Sequence, residues 1–212
     1  MKNLTFMISD SRALTDPVRT VFAAVCTATG DGHRYISDMY LRGVRAFIVE
    51  QIPDELADEA SGPGIVWLVV PDVTAAMMRL GAMMRDTCCR GVNIAITGSR
   101  GKTVVKELLY QALMKLEDPI RSPRSWNSHV GVGLSMWEFN SPHDHNIVEV
   151  GIDGPGQMQP SMEAIAPQLG ILTSITDVHD TGFESREEKI RQKLLLFAGC
   201  RTIIYDAACH PQ

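Results

Sequence analysis

The 212 residues are 45% apolar, the composition of a globular chain with room for one or two domains and a real core. Against 25 Asp and Glu stand 20 Lys and Arg, a formal charge of -5, which excludes a general surface for nucleic acid or an anionic membrane and leaves any anionic ligand to a local basic site. The five cysteines (Cys26, Cys88, Cys89, Cys200 and Cys209) form no C-x-x-C pair and no zinc or disulfide spacing.

The start, "MKNLTFMISDSR", turns polar after Ile8, too soon for the apolar core of a signal peptide. No apolar run approaches the ~20 residues of a membrane span. These features predict reduced thiols and a cytoplasmic protein. From Tyr35 onward, strand-length apolar runs alternate with segments of helical period. "VRAFIVE" is followed by a helix over 72–85, then "VNIAIT", then a helix over 102–115. "NIVEVGI", a short helix near 158–166, "LGILTSIT", a helix over 185–197 and "RTIIYDA" complete the series. This alternation predicts an α/β fold with a mainly parallel sheet. The polar break "RDTCCRG" suggests two domains, 1–88 and 89–212. The second ends just after a predicted strand with no closing helix, which favours a fragment of something longer.

The densest chemistry is "ITGSRGKTVVKE", residues 96–107. A strand delivers the chain to Gly98, and two glycines let backbone N–H groups approach an anion. The helix from Lys102 then offers its positive end. Lys102 would reach terminal phosphates and Thr103 would offer a hydroxyl to Mg²⁺. The common phosphate loop has a further glycine where Ile96 stands, so a purely structural strand-to-helix turn remains an alternative. Glu149 closes an apolar strand at the carboxyl edge of the expected sheet, where an acid is costly unless paired or bound to metal. On the helix opened by "SREE", a capping box of Ser185 and Glu188, the expected buried stripe is Ile190, Leu194 and Phe197, with Lys193 on its flank. Lys193 can be partly desolvated there, or can be an ordinary solvated lysine. The "HDH" segment, 143–145, reads as a solvated loop.

Taken in order, "TGSRGKTVVKELL", "SWNSHVGVGLSMW", "VEVGIDGPGQM", "APQLGILTSITDVHDTGFES" and "KIRQKLLLF" resemble the central ATP-dependent domain of the Mur ligase family. Upstream, "SDSRALTDPVRTVFAAV" and "TGDGHRYISDMYLRGVRAFIVE" resemble the N-terminal, UDP-binding domain of one member. "RSPRSWNSHVG" is similar to the form fused to an alanine racemase in some bacteria. The resemblance implies a UDP-substrate-binding α/β domain followed by part of a P-loop ATPase domain. It also implies that Gly98, Ser99, Arg100, Gly101, Lys102, Thr103 and Asn127 bind ATP. The Mg²⁺ ligands it implies are Thr103, Glu149, His179 and a carbamylated Lys193, a role for which Lys189 competes. Ser11, Arg12, Asp31, Gly32 and His33 fall in the segments that surround the uridine diphosphate.

The implied reaction joins D-alanyl-D-alanine to UDP-N-acetylmuramoyl-tripeptide through an acyl phosphate, with Lys102, Glu149, His179 and Lys193 as its central residues. The family's amine-binding third domain has no counterpart here. The chain departs from the family pattern at three places. Arg100 stands where most members have Asn, Thr173–Ser174 where many have Thr–Asn, and Gly133 where "GVPL" has its proline. Another Mur-type or folylpolyglutamate-type ligase, a non-catalytic nucleotide-binding module and a small P-loop kinase are the alternatives. "DSR" and "DGH" speak against the folate type, and no lid speaks for a kinase.

Overall fold

The computed structural model describes residues 4–28, 30–60, 62, 64–176 and 182–207. The chain forms two compact units, Met1–Met77 and Met78–Gln212. The first holds a four-stranded parallel sheet in the order β1 (Phe6–Ile8), β2 (Thr20–Ala23), β5 (Ala46–Val49), β6 (Val66–Val69). Between β2 and β5 lie a two-stranded antiparallel ribbon, β3 (Cys26–Thr27) with β4 (Gly30–Asp31), and helix α1 (Ile36–Leu41). The short α2 (Ala57–Ala60) precedes β6.

Strands β2 and β5 are buried along their whole length, because the two middle strands of a parallel sheet are covered on both faces and read as unbroken apolar runs. Phe22, Phe47 and Val49 pack there against Ile36 and Met39 of α1. The Phe47 ring stacks on Trp67 with centroids 4.6 Å apart. Helix α3 (Val73–Cys88) begins in this unit, where the Asp72 side chain accepts the Ala75 N–H, and its part from Met78 onward belongs to the second unit.

The second unit repeats strand and helix in strict alternation. Its elements are β7 (Val92–Thr97), α4 (Lys102–Leu113), β8 (Pro119–Arg121), α5 (His129–Glu138), β9 (His145–Glu149), α6 (Met158–Ile165), β10 (Leu169–Leu172), α7 (Arg186–Leu194) and β11 (Thr202–Tyr205). The five strands pair in parallel in the order β11-β10-β7-β9-β8. On one face Ile94, Ile96 and Ile147 meet Val105 and Leu109 of α4. On the other, Ala95, Val148 and Val150 meet Val132 and Met136 of α5, Ile165 of α6 and the turn at Leu196–Phe197. From β7 the chain moves to one side of the sheet, and from β9 it crosses to the other. The loops after β7, β8, β9 and β10 therefore converge at one carboxyl edge, the place where open α/β sheets bind ligands.

Two elements of the second unit have no strong signal in the sequence. Strand β8 spans three residues. Helix α5 is buried continuously from Gly131 to Met136, so it shows no alternation of apolar and polar faces.

Gly170 is packed closely in β10, since a Cβ there would lie 2.3 Å from a carbon of the Phe197 ring. Gly170→Ala should therefore lower the urea-unfolding stability of the second unit by about 1–3 kcal/mol through forced displacement of that ring. An unchanged midpoint would show that Phe197 does not hold its place.

Candidate functional site

Strand β7 ends in a buried Thr97 whose Oγ1 donates to the Val150 carbonyl at 2.9 Å, fastening the start of the loop to the strand next to it. The chain then turns through Gly98–Gly101 into α4. Gly101, at φ 83, occupies the helix N-cap in the left-handed region, which glycine enters without the penalty of a Cβ. It brings no capping side chain, so the first turn of α4 presents its backbone to the loop.

The segment after β10 clamps this loop from outside. Ser99 N–H donates to Ser174 O at 2.6 Å, Thr176 N–H donates to Ser99 Oγ at 3.1 Å, and Thr173 Oγ1 donates to Arg100 O at 2.7 Å. Thr173 and Ser174, a departure from the family pattern, thus serve the loop through their hydroxyls and backbone. Arg100 contributes its carbonyl to that clamp.

A cleft of about 160 Å³ opens beside the loop, with Lys102, Lys189, Lys193, Asn127, Ser128 and Asp153 among its walls. Lys102 Nζ donates to the carbonyls of Gly98 at 3.0 Å and Ser99 at 3.2 Å. Lys193 Nζ reaches Gly98 O at 3.2 Å, and Lys189 Nζ reaches Thr176 O at 2.7 Å. The helix bearing the last two is turned differently from the expected stripe. Lys189 and Lys193 are buried and Leu194 is 41% exposed. The inner face of α7 meets loop carbonyls, which satisfy ammonium groups and would leave leucine without a partner.

Burial lowers the pKa of Lys102, opposed by Glu149 and Asp153, with the Lys189 charge adding to the depression. Burial, and then repulsion from Lys102 and Lys189, bring Lys193 down to about 8, with Asp153 pulling the other way. Three ammonium groups facing one small cleft make a site that favours an anion.

On the strand beside β7 stands Glu149, the last residue of β9 and 1% exposed. Thr103 Oγ1 lies 3.1 Å and 2.9 Å from its two carboxylate oxygens, and Asn127 Nδ2 donates to Oε1 at 2.8 Å. Its backbone N–H donates to Ser122 Oγ at 3.2 Å, and Ser125 Oγ lies 3.3 Å from Thr103 Oγ1. A hydroxyl and a carboxylate in contact at the mouth of a phosphate loop are hard oxygen donors, so the residues fit Mg²⁺. His179 lies outside the described residues. Lys106, Ser122, Ser125 and Asp153 lie within quoted motifs, but the sequence singled out none of them. Lys106 and Ser122 become visible only when the loop after β8 is seen folded against α4.

The candidates of the first unit are bound to one another. Arg12, whose side chain is 89% exposed, pairs with Asp10 at 2.7 Å, and the guanidinium holds the Asp10 carboxyl at about 2. Asp31 Oδ1 accepts the His33 N–H at 2.8 Å and lies 2.8 Å from His33 Nδ1; these bonds hold its carboxyl at about 2. Among the described residues, Cys26, Asp31 and His33 are the one group of three such side chains close enough to hold a metal. The Glu50 N–H donates to His33 Nε2 at 2.9 Å, so the ring proton sits on Nδ1 and points at Asp31. Burial and Asp31 push the Cys26 thiol up to about 11. Both ring nitrogens are engaged, and the cluster serves as a cap of the turn that follows. Gly32, buried within it, starts the turn that follows β4. Ser11 offers its carbonyl to Arg42 at 2.9 Å.

The "HDH" segment is not the solvated loop expected. His143 Nδ1 pairs with Asp118 at 3.0 Å and His145 pairs with Glu117, both rings being mostly covered. The strand start at β9 and the turn before β8 lie side by side, which brings these acids onto the histidines. They sit at the edge of the sheet opposite the phosphate loop.

Fold and site together define a phosphate-loop nucleotide-binding α/β unit of the ATPase type. The model of the Mur ligase middle domain matches residues 96–209, more than half of the chain, and the protein belongs to the Mur ligase family. Over 195 residues it is 26% identical to the UDP-N-acetylmuramoyl-tripeptide–D-alanyl-D-alanine ligase of Buchnera aphidicola subsp. Baizongia pistaciae, covering 91% of this chain and 40% of that protein. The Escherichia coli K12 ligase of the same name is 24% identical over 196 residues, 92% of this chain and 41% of that one. The fold is shared with MurF from Acinetobacter baumannii (TM-score 0.79, 24% identity, 96% of this chain and 44% of that one). It is shared also with MurF ligase from Thermotoga maritima in complex with ADP (TM-score 0.82, 21% identity, 98% and 47%). The chain spans about 40% of the length of these curated relatives.

Lys193 makes the stability of the second unit pH-dependent. Its folded pKa of about 8 lies below the ordinary 10.5, so between these values the unfolded chain holds a proton that the folded one has released. Stability from this group therefore rises with pH across that window, and below about 8 folding carries the full cost. Lys193→Met should be more stable than the parent by about 2–3 kcal/mol at pH 7, with the gap closing toward pH 10.5 in urea titrations. A gap that stays constant from pH 7 to 10 would refute the depressed amine.

Proposed function

We propose that the second unit binds ATP with Mg²⁺ and that the chain is the UDP-substrate unit and ATPase unit of a peptidoglycan-precursor ligase. The observation that carries the reading is that two sets of groups meet at one sheet edge. Lys102, Lys189 and Lys193 line the cleft beside the loop, and Thr103 at the start of α4 contacts Glu149 at the end of the neighbouring strand. Phosphoryl transfer asks a protein chiefly for positioning and charge neutralisation, and this edge offers both. The solved Thermotoga maritima neighbour is in complex with ADP, which supports the nucleotide.

In the reaction that the family resemblance implies, a carboxylate oxygen of UDP-N-acetylmuramoyl-tripeptide attacks the γ-phosphorus of ATP, releasing ADP and leaving an acyl phosphate. The amine of D-alanyl-D-alanine then attacks the acyl carbon, phosphate leaves and the amide forms. Gly98, Ser99, Arg100 and Gly101 supply the turn around the phosphates, Lys102 their counter-charge, and Asn127 orients Glu149. Mg²⁺, held by Thr103 and Glu149 with His179 and a carbamylated Lys193 at a second position, would neutralise phosphate charge. The low pKa of Lys193 supports the carbamate, because only the neutral amine adds CO₂.

Ser11, Arg12, Asp31, Gly32 and His33 are proposed to frame the uridine diphosphate; the bonding among Asp10, Arg12, Asp31 and His33 favours a role in shaping that edge. The domain division at residues 88 and 89, the cytoplasmic location and D-alanyl-D-alanine as partner come with the same reading. Fusion to an alanine racemase rests on "RSPRSWNSHVG" alone.

Lys102→Ala should abolish measurable ADP binding in calorimetry while the circular dichroism of the chain stays unchanged, because the ammonium faces carbonyls of the loop and fills no core. ADP affinity equal to the parent's would sink the phosphate-loop assignment. In a full-length enzyme, Lys193→Ala should lose amide formation, with partial recovery by added short carboxylates that replace the carbamate oxygen. Recovery for Lys189→Ala and not for Lys193→Ala would move the carbamate to Lys189.

A further inference from the structure

One turn after Lys102 on α4 stands Lys106, fully buried, yet absent from the cleft wall. An ammonium wholly out of water persists only where its charge is matched and its protons are accepted. Lys106 Nζ donates to the Arg124 carbonyl and lies 3.5 Å from Glu107 Oε1 and 3.6 Å from Glu149 Oε2. Glu107 already accepts from Arg121 Nε at 2.8 Å, so its charge is shared. Glu149, which is as deeply buried as Lys106, is the carboxylate that Lys106 matches.

The other contact matters as much. Arg124 has φ 48, a left-handed backbone that a non-glycine residue holds only when its surroundings impose it. The bond from Lys106 to the Arg124 carbonyl is such an imposition. Arg124 belongs to the loop that brings Ser122 to the Glu149 N–H, Ser125 to Thr103 and Asn127 to the Glu149 carboxylate. A single ammonium therefore grips both the carboxylate and the loop that orients it.

We propose that Lys106 is a positioning residue for the divalent-cation site formed by Thr103 and Glu149, acting from behind the site without touching nucleotide or cation. The proposal rests on the nucleotide and Mg²⁺ reading above. Losing a group that orients a metal ligand weakens metal binding by about 10–100-fold, while the lysine cleft that would hold the phosphates is left in place.

The test compares the 212-residue chain with its Lys106→Met variant, using ADP as ligand and Mn²⁺ as spectroscopic probe. The expected result is an ADP affinity without metal equal to the parent's and a Mn²⁺ affinity of the ADP complex, read by electron paramagnetic resonance, lower by about 10–100-fold. Unchanged Mn²⁺ affinity, or equal losses with and without metal, would overturn the proposal, the second result being that of a merely structural lysine. If Lys106→Met does not fold, the double variant Lys106→Met/Glu149→Gln decides. Removing both charges leaves neither uncompensated, so the double variant should regain cooperative unfolding, and failure to do so counts against the pairing. A parent chain that binds neither ADP nor Mn²⁺ refutes the nucleotide reading on its own. The Lys106–Glu149 linkage is then judged from the urea midpoints of Lys106→Met, Glu149→Gln and the double variant, where simple additivity overturns it.

Discussion

The second unit is organised around a repulsion. Lys102, Lys189 and Lys193 approach one cleft from two helices, and burial removes the water that would otherwise screen them. Loop carbonyls accept from all three, Gly98 O from two of them. Carbonyl dipoles tolerate a cation without cancelling its charge, so the cleft keeps a positive field that an anion can use. The depressed amine of Lys193 is the visible cost of that arrangement.

Positive field at one wall requires that the negative group be kept separate, and the sheet supplies the separation. Lys102 follows β7 directly, while Glu149 ends the adjacent β9, paired residue by residue with it. The loop after β8 folds over that edge, where Asn127 donates to the Glu149 carboxylate and Ser122 Oγ accepts the Glu149 N–H. Lys106 balances it from beneath. The acid is held in place by these contacts, away from the lysines of the cleft.

Much of this was legible in the residues. Strands and helices of the second unit follow the alternation of "VNIAIT", "NIVEVGI" and "LGILTSIT" with helical periods, since parallel strands buried on both faces carry unbroken apolar runs. The glycine loop and Glu149 could be read because strand ends are predictable places. What could not be read depends on non-local contacts. Helix α5 is buried from Gly131 to Met136, so periodicity has nothing to report there. Helix α7 turns Lys189 and Lys193 inward and Leu194 outward, a choice made by the polarity of the loop it meets. Histidines 143 and 145 were misread because their acids come from residues far away in sequence.

The two units handle their charged motif residues in opposite ways. In the first, Arg12 neutralises Asp10, and His33 and Asp31 satisfy each other, so these side chains are already paired before any ligand arrives. A ligand there would have to use backbone groups or break a formed pair, and breaking Asp31 from His33 would also release the cap of the following turn. In the second, three lysines line one cleft and donate to loop carbonyls. Binding an anion relieves their mutual repulsion as well as adding new contacts. Ligand affinity and fold stability are thus linked through the same three side chains: an anion that favours the charged form of Lys193 offsets part of the cost of burying that charge.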